Sequence, residues 1–183
     1  MPDPDGRLWR TMSYVPGETR QSTSDPAVLR RAAAEVGDFH TALLDCTHHF
    51  AFVLPHFHDT PFVMERLRAI IQTDQGEKTK RCEGPAQVVL AEYQEVPKQQ
   101  TVLPNRIIHG DLKLTNVRFG ADNTATIIDL DTVMYHTIAV ELGDAFRSWC
   151  AAGDENVASL TWDDKLYDAA LDAYRAHAGF LTE

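Results

Sequence analysis

From Ile107 to Asn116 the chain reads Ile-Ile-His-Gly-Asp-Leu-Lys-Leu-Thr-Asn, and Asp129-Leu130-Asp131 begins thirteen residues after that asparagine. An Asp and an Asn five positions apart on a loop, with a further carboxylate ending the next apolar strand, gather hard oxygen donors on one rim. Such donors suit Mg²⁺, which takes few protein oxygens and keeps its other positions for water and phosphate. A carboxylate on the same rim can orient a hydroxyl for attack at phosphorus. Taken singly, Asp and Asn in loops are turn formers and caps. The combination H-G-D-x-x-x-x-N, strand-turn-strand and apolar strand ending in Asp is what points to phosphoryl transfer.

Composition narrows the partners. The 183 residues suffice for one domain with a sizeable core. Lys and Arg number 17 against 27 Asp and Glu, a formal charge of −10. That balance argues against nucleic acid or anionic lipid, which need a basic footprint. It is compatible with ATP, whose phosphates Mg²⁺ can bridge to carboxylates. No apolar run approaches membrane-spanning length, and the acidic start Met1-Pro2-Asp3-Pro4-Asp5 is unlike a signal peptide. Cys46, Cys82 and Cys150 are widely spaced with no C-x-x-C, as expected of reduced thiols in a cytoplasmic chain. Lys78-Thr79-Lys80-Arg81, the one basic cluster, reads as a solvated loop.

Periodicity predicts an α+β fold that is mostly helical. Leu8 to Val15 is strand-like and stops at Pro16-Gly17. Ser24 or Asp25 caps a helix with Pro26 in its first turn, running to about Cys46. Thr60-Pro61 opens a second helix with Met64, Leu67, Ile70 and Ile71 on its buried side; Gln75 to Lys78 is a loop. A third helix follows Gly84-Pro85 and ends before Pro97. Short strands at 106–108, 116–119 and 124–130 flank a turn at 120–123, and helices return at 142–150 and 165–177. His48, His49, His56 and His58 with Asp59 read either as a zinc cluster or as an aromatic-rich entry to the second helix. Trp149, Trp162 and Tyr174 read either as core or as a stacking platform for a sugar.

His109 to Asn116 resembles the catalytic loop of the protein-kinase-like superfamily, in the form used by aminoglycoside phosphotransferases and choline kinases. Gly110 stands where protein kinases carry Arg, which points to small-molecule acceptors. Ile128 to Met134 and Gly143 to Ser148 look closest to the N-acetylhexosamine 1-kinase branch. The resemblance implies the large, C-terminal lobe of that fold over residues 25–183, preceded by a hinge-strand remnant and linker over 1–24.

It also implies roles. Asp111 serves as base or orienting carboxylate for a sugar or amino-sugar hydroxyl. Asn116 and Asp129 hold Mg²⁺, with Asp131 as a further ligand. Lys113 either touches the transferred phosphate of ATP or is a surface lysine. His109 fixes the loop, Asp144 caps its helix and braces the loop, and Arg147 supports the same network. Met12, Ser13, Tyr14 and Val15 are either the hinge that contacts adenine or an ordinary edge strand. No G-x-G occurs, and all five lysines follow the expected hinge, so the phosphate-gripping small lobe of such enzymes has no counterpart in this sequence. The expectation divides accordingly between an ATP- and Mg²⁺-dependent kinase of N-acetylhexosamines or related sugars and a non-catalytic binding module descended from one. A complementing small lobe or self-association belongs to the first reading.

Overall fold

The computed structural model describes residues 3–7, 9–96, 104–152 and 160–182; Leu8 and Pro97, which the sequence reading used, lie outside them. In chain order the elements are α1 (Pro26–Ala42), α2 (Thr60–Thr73), α3 (Glu77–Glu95), β1 (Asn105–Ile108), β2 (Val117–Phe119), β3 (Ala125–Ile127), β4 (Met134–Thr137), α4 (Ile138–Trp149), β5 (Ala151–Ala152), β6 (Thr161–Trp162) and α5 (Asp164–His177). The fold is mixed α+β, with helices dominant and the strands paired as β1 with β4, β2 with β3, and β5 with β6. No helix among the described residues is long and apolar enough to cross a membrane.

Contacts divide the chain into two compact units, Met1–Thr47 with Arg106–Glu183, and His48–Asn105. The larger unit is built on α1 and α5. Asp25 caps α1 by accepting from the Ala27 amide (2.9 Å), and Pro26 sits where no amide is needed. The α1 residues Val28, Leu29, Ala32 and Val36 are fully buried and join Leu166, Ala170 and Tyr174 of α5 in one core. Gly37 lets the helices close: a Cβ there would meet the His177 Cβ at 2.7 Å and the Tyr174 carbonyl at 3.0 Å. Trp149 is core, and its Nε1 donates to the Leu112 carbonyl (2.7 Å), so the loop after β1 is tied to the end of α4. Trp162, by contrast, is about half exposed.

The smaller unit holds α2 and α3. Asp59 caps α2 by accepting from Phe62 N (3.1 Å), and His56, hydrogen-bonded to Asp59, stacks on the Phe62 ring at 3.5 Å. The histidine-rich segment thus acts as a helix entry, and no group of three potential metal-ligating His, Cys, Asp or Glu side chains occurs among the described residues. Met64, Leu67, Ile70 and Ile71 were expected on a buried face, yet α2 has no fully buried residue.

Helix α1 ends at Ala42 instead of near Cys46, α4 begins at Ile138 instead of 142, and β4 adds a strand that the pattern does not predict; three further differences have an evident cause. Helix α3 starts at Glu77 and runs through Pro85 instead of following it. Five of the seven residues from 77 to 83 are charged, Glu77, Lys78, Lys80, Arg81 and Glu83, with Glu77 in the first turn, and the surface position leaves solvent to satisfy the carbonyl that Pro85 cannot serve. The described part of the N-terminal strand, residues 9–15, forms no ladder; pairing is confined to one bridge, Glu18 with Phe119. Third, β3 stops at Ile127 because Asp129 turns left-handed at φ 65 and ψ 61.

Replacing Gly37 with Ala is expected to lower stability by about 1–3 kcal/mol through overpacking of the α1–α5 contact. Urea denaturation followed by circular dichroism checks it, with Gly84→Ala, where a Cβ meets nothing within 4 Å, as the permissive comparison.

Candidate active site

The loop after β1 is anchored from beneath by a buried carboxylate. Glu141, in the first turn of α4, has a side chain only 1% exposed. Its Oε1 accepts from the His109 amide (2.9 Å) and its Oε2 from the Gly110 amide (2.7 Å). The same Oε1 lies 3.0 Å from His40 Nε2, and His40 Nδ1 is 3.0 Å from the Tyr174 hydroxyl. Burial first, then the Glu141 charge, pushes the Tyr174 phenol well above its ordinary range, so its hydroxyl stays protonated. A carboxylate taken out of water is tolerable only when its lone pairs are filled, and here three donors from α1 and the loop fill them.

His109 is fully buried and knots the loop to the next strand. Its Nε2 lies 2.9 Å from the Ile128 carbonyl, which can only accept; its Nδ1 receives the Asp111 amide at 3.2 Å. The ring is therefore the Nε2–H tautomer, with both nitrogens committed. Thr132 Oγ1 donates to the His109 carbonyl (2.8 Å), closing the turn that carries Asp129. Gly110 follows at φ 86, a left-handed backbone that favours glycine.

Asp111 and Asn116 meet. The Asn116 Nδ2 donates to the Asp111 carbonyl (2.8 Å) and to its carboxylate Oδ2 (3.2 Å), which orients the amide oxygen away from Asp111. Lys113 Nζ pairs with the same Oδ2 at 2.9 Å. Asn116 is buried, and its backbone carbonyl accepts from the Ile128 amide (2.9 Å). Register continues that bond: Val117 faces Ile127 and Phe119 faces Ala125 across β2 and β3, so Asp129 emerges beside Asn116. Asp131 is held differently. Arg10 grips both its oxygens at 2.9 Å, and those hydrogen bonds and that charge keep the Asp131 carboxyl below the usual carboxylate range.

A cleft of about 730 Å³ collects the remaining candidates. Met12, Ser13, Tyr14 and Val15 form one wall; Asp129, Leu130 and Asp131 form the other, with Arg10 and Arg118 at the ends. The N-terminal segment is held there by side chains rather than by a ladder. Arg118 Nε donates to the Val15 carbonyl (3.2 Å) and its guanidinium lies 5.8 Å from the Tyr14 ring centroid. Gly17 then passes so close to β2 that a Cβ would stand 2.6 Å from the Phe119 carbonyl oxygen.

Two supporting roles shift. Asp144 lies inside α4 instead of at its cap, and its carboxylate accepts from Arg147 (3.1 Å). The loop brace expected of Asp144 falls to Glu141, one turn earlier on the same helix. Glu141, His40 and Tyr174 carry no sequence signal as a set, because they come from three helices far apart in the chain. Against known protein families, the chain matches the model described as phosphotransferase enzyme family over residues 3–180.

Glu141→Gln puts an amide donor where every neighbour also donates. It should cost about 3 kcal/mol of stability, read as a lower urea midpoint at unchanged slope.

Proposed function

This chain belongs to the phosphotransferase enzyme family, and from that membership we propose that it transfers the γ-phosphoryl group of ATP, with Mg²⁺, to a hydroxyl of an N-acetylhexosamine or related sugar. One observation carries the reading. The Asn116 carbonyl–Ile128 amide bond sets the Asp111–Asn116 loop beside Asp129, and the cleft of Asp129 faces Met12 to Val15.

The donor set fits the implied groups. Asn116 has its amide oxygen turned from Asp111, and Asp129 is exposed on the same rim, so one amide and one carboxylate oxygen are available to Mg²⁺. When bound, the cation would neutralise charge on the nucleotide phosphates. Asp131 joins only if Arg10 releases it. Met12 and Tyr14 are largely exposed apolar side chains that suit the face of a purine.

Asp111 is half-buried at the mouth of the loop, where its carboxylate would accept the acceptor hydroxyl's proton or hold that hydroxyl in line. Lys113, paired with Asp111, can instead meet the transferred phosphoryl group once acceptor displaces it. Both ring nitrogens of His109 are committed to backbone groups. Its part is to hold Asp111 and the Asp129 turn in one frame. Arg10 covering both Asp131 oxygens favours a second reading, a nucleotide-binding module without transfer.

Transfer from labelled ATP to a panel of N-acetylhexosamines, aminoglycosides and choline, with Mg²⁺, separates the two readings. A kinase yields a phosphorylated sugar, and Asp111→Asn lowers the rate by at least about 10²-fold while the protein stays folded. ATP binding by calorimetry with no transfer to any acceptor supports the module and overturns the enzyme.

A further inference from the structure

A second cavity, of about 750 Å³, opens on the other side of the Val15–Glu18 segment. Its walls are Pro16, Gly17, Glu18 and Arg20, the α1 residue Arg31, and the β2–β3 hairpin from Phe119 to Thr126. Two arginines line it, and both carry their guanidinium groups against the same aromatic ring. Arg20 stands 5.8 Å and Arg31 5.3 Å from the centroid of the buried Phe119 ring.

Neither cation is neutralised. Arg20 and Arg31 make no ion pair among the described residues, in a chain whose formal charge is −10. Arg31 goes further: its Nε is buried from solvent and has no hydrogen-bond partner among the described residues. A buried guanidinium N–H without an acceptor is costly, and more so for a charged group than for a neutral one. Two carboxylates also line the cavity, and neither serves these arginines. Asp122 is turned into its own hairpin, where it accepts from the Thr124 hydroxyl (2.7 Å) and amide (3.3 Å). Glu18 spends its backbone on Phe119, and its carboxylate lies beyond ion-pair reach of both guanidinium groups.

We propose that this cavity is an anion site for a phosphate-type group, inorganic phosphate or the phosphoryl end of a phosphomonoester, held between Arg20 and Arg31. Two planar forks offer more donors than one carboxylate can accept, and a doubly charged tetrahedral oxyanion matches both their charge and their donor count. The volume leaves room for an organic group esterified to the phosphate. The site is separate from the nucleotide reading, although Val15 lines both cavities.

Titration with inorganic phosphate and with glycerol 2-phosphate, without Mg²⁺ and at constant ionic strength, tests the proposal by amide NMR. Saturable shifts should centre on Gly120, Ala121, Thr124 and Thr126, with acetate producing none. Arg20→Gln and Arg31→Gln should each weaken phosphate by about tenfold or more. Arg66→Gln, an exposed arginine of the other unit, should leave it unchanged. Tighter binding of the phosphomonoester than of phosphate would identify an organic phosphate as the ligand; equal binding would identify the free anion. Because Arg31→Gln could disturb α1, Arg31→Lys is measured beside it and should also weaken binding, keeping charge but losing the fork. Shifts centred on Asp129 and Leu130, equal binding of acetate, or unaltered affinity in folded Arg20→Gln and Arg31→Gln variants would each overturn the site.

Discussion

The candidate site depends on a carboxylate that never meets solvent. Glu141 receives the amides of His109 and Gly110 and the ring of His40, so the loop bearing Asp111 is fixed from below by α4 and, through His40 and Tyr174, by α1 and α5. An ion in this position stabilises little by itself, because its desolvation offsets most of what its partners return. What it supplies is geometry. A loop whose amides are satisfied by one rigid acceptor has one arrangement, and transfer chemistry needs a carboxylate held to within fractions of an ångström.

The same logic runs upward through His109. Its ring bonds the carbonyl of Ile128 and the amide of Asp111, and its own carbonyl takes the Thr132 hydroxyl. Loop and Asp129 turn are therefore one hydrogen-bonded body with no water needed between them. The left-handed backbone at Asp129 follows, since the chain must leave β3 and reverse within a few residues. Asp is among the few residues with a side chain that visit that region at modest cost. The Asp129 carboxylate makes no capping bond to the turn and lines the cleft instead.

Much of this was legible in the sequence because the informative residues are close together in it. The loop from His109 to Asn116, the β2–β3 hairpin and the capped start of α1 at Asp25-Pro26 are local patterns, and local patterns survive folding. What could not be read is held by long-range partners. Glu141 and His40 lie 101 residues apart, and nothing in the spacing of Glu141 within an amphipathic helix separates a brace from a surface acid. The resemblance assigns the brace to Asp144, yet the Asp144 carboxylate faces Arg147. The start of α3 was missed for another reason. Gly84-Pro85 is a strong breaker signal, and the five charged residues among 77–83 outweigh that signal where solvent can replace the lost bond.

The N-terminal segment shows how far side chains alone can place a backbone. Residues 9–15 have no ladder, yet Arg10 is bound to Asp131 across 121 positions and Arg118 holds Val15 and Tyr14. These bonds are exposed, so each contributes little to stability in water. Their value lies in acting at opposite ends of one short stretch, which sets Met12 to Val15 across the cleft from Asp129 without giving up the backbone groups of that stretch to a neighbouring strand. Of those backbone groups the Val15 carbonyl is taken by Arg118, so the segment is held through a side chain and not through a strand partner. The Arg10–Asp131 pair also makes the cleft self-limiting: the charge that keeps the segment in place occupies both carboxylate oxygens, so under the proposed reading Asp131 could serve a cation only by letting go of the wall.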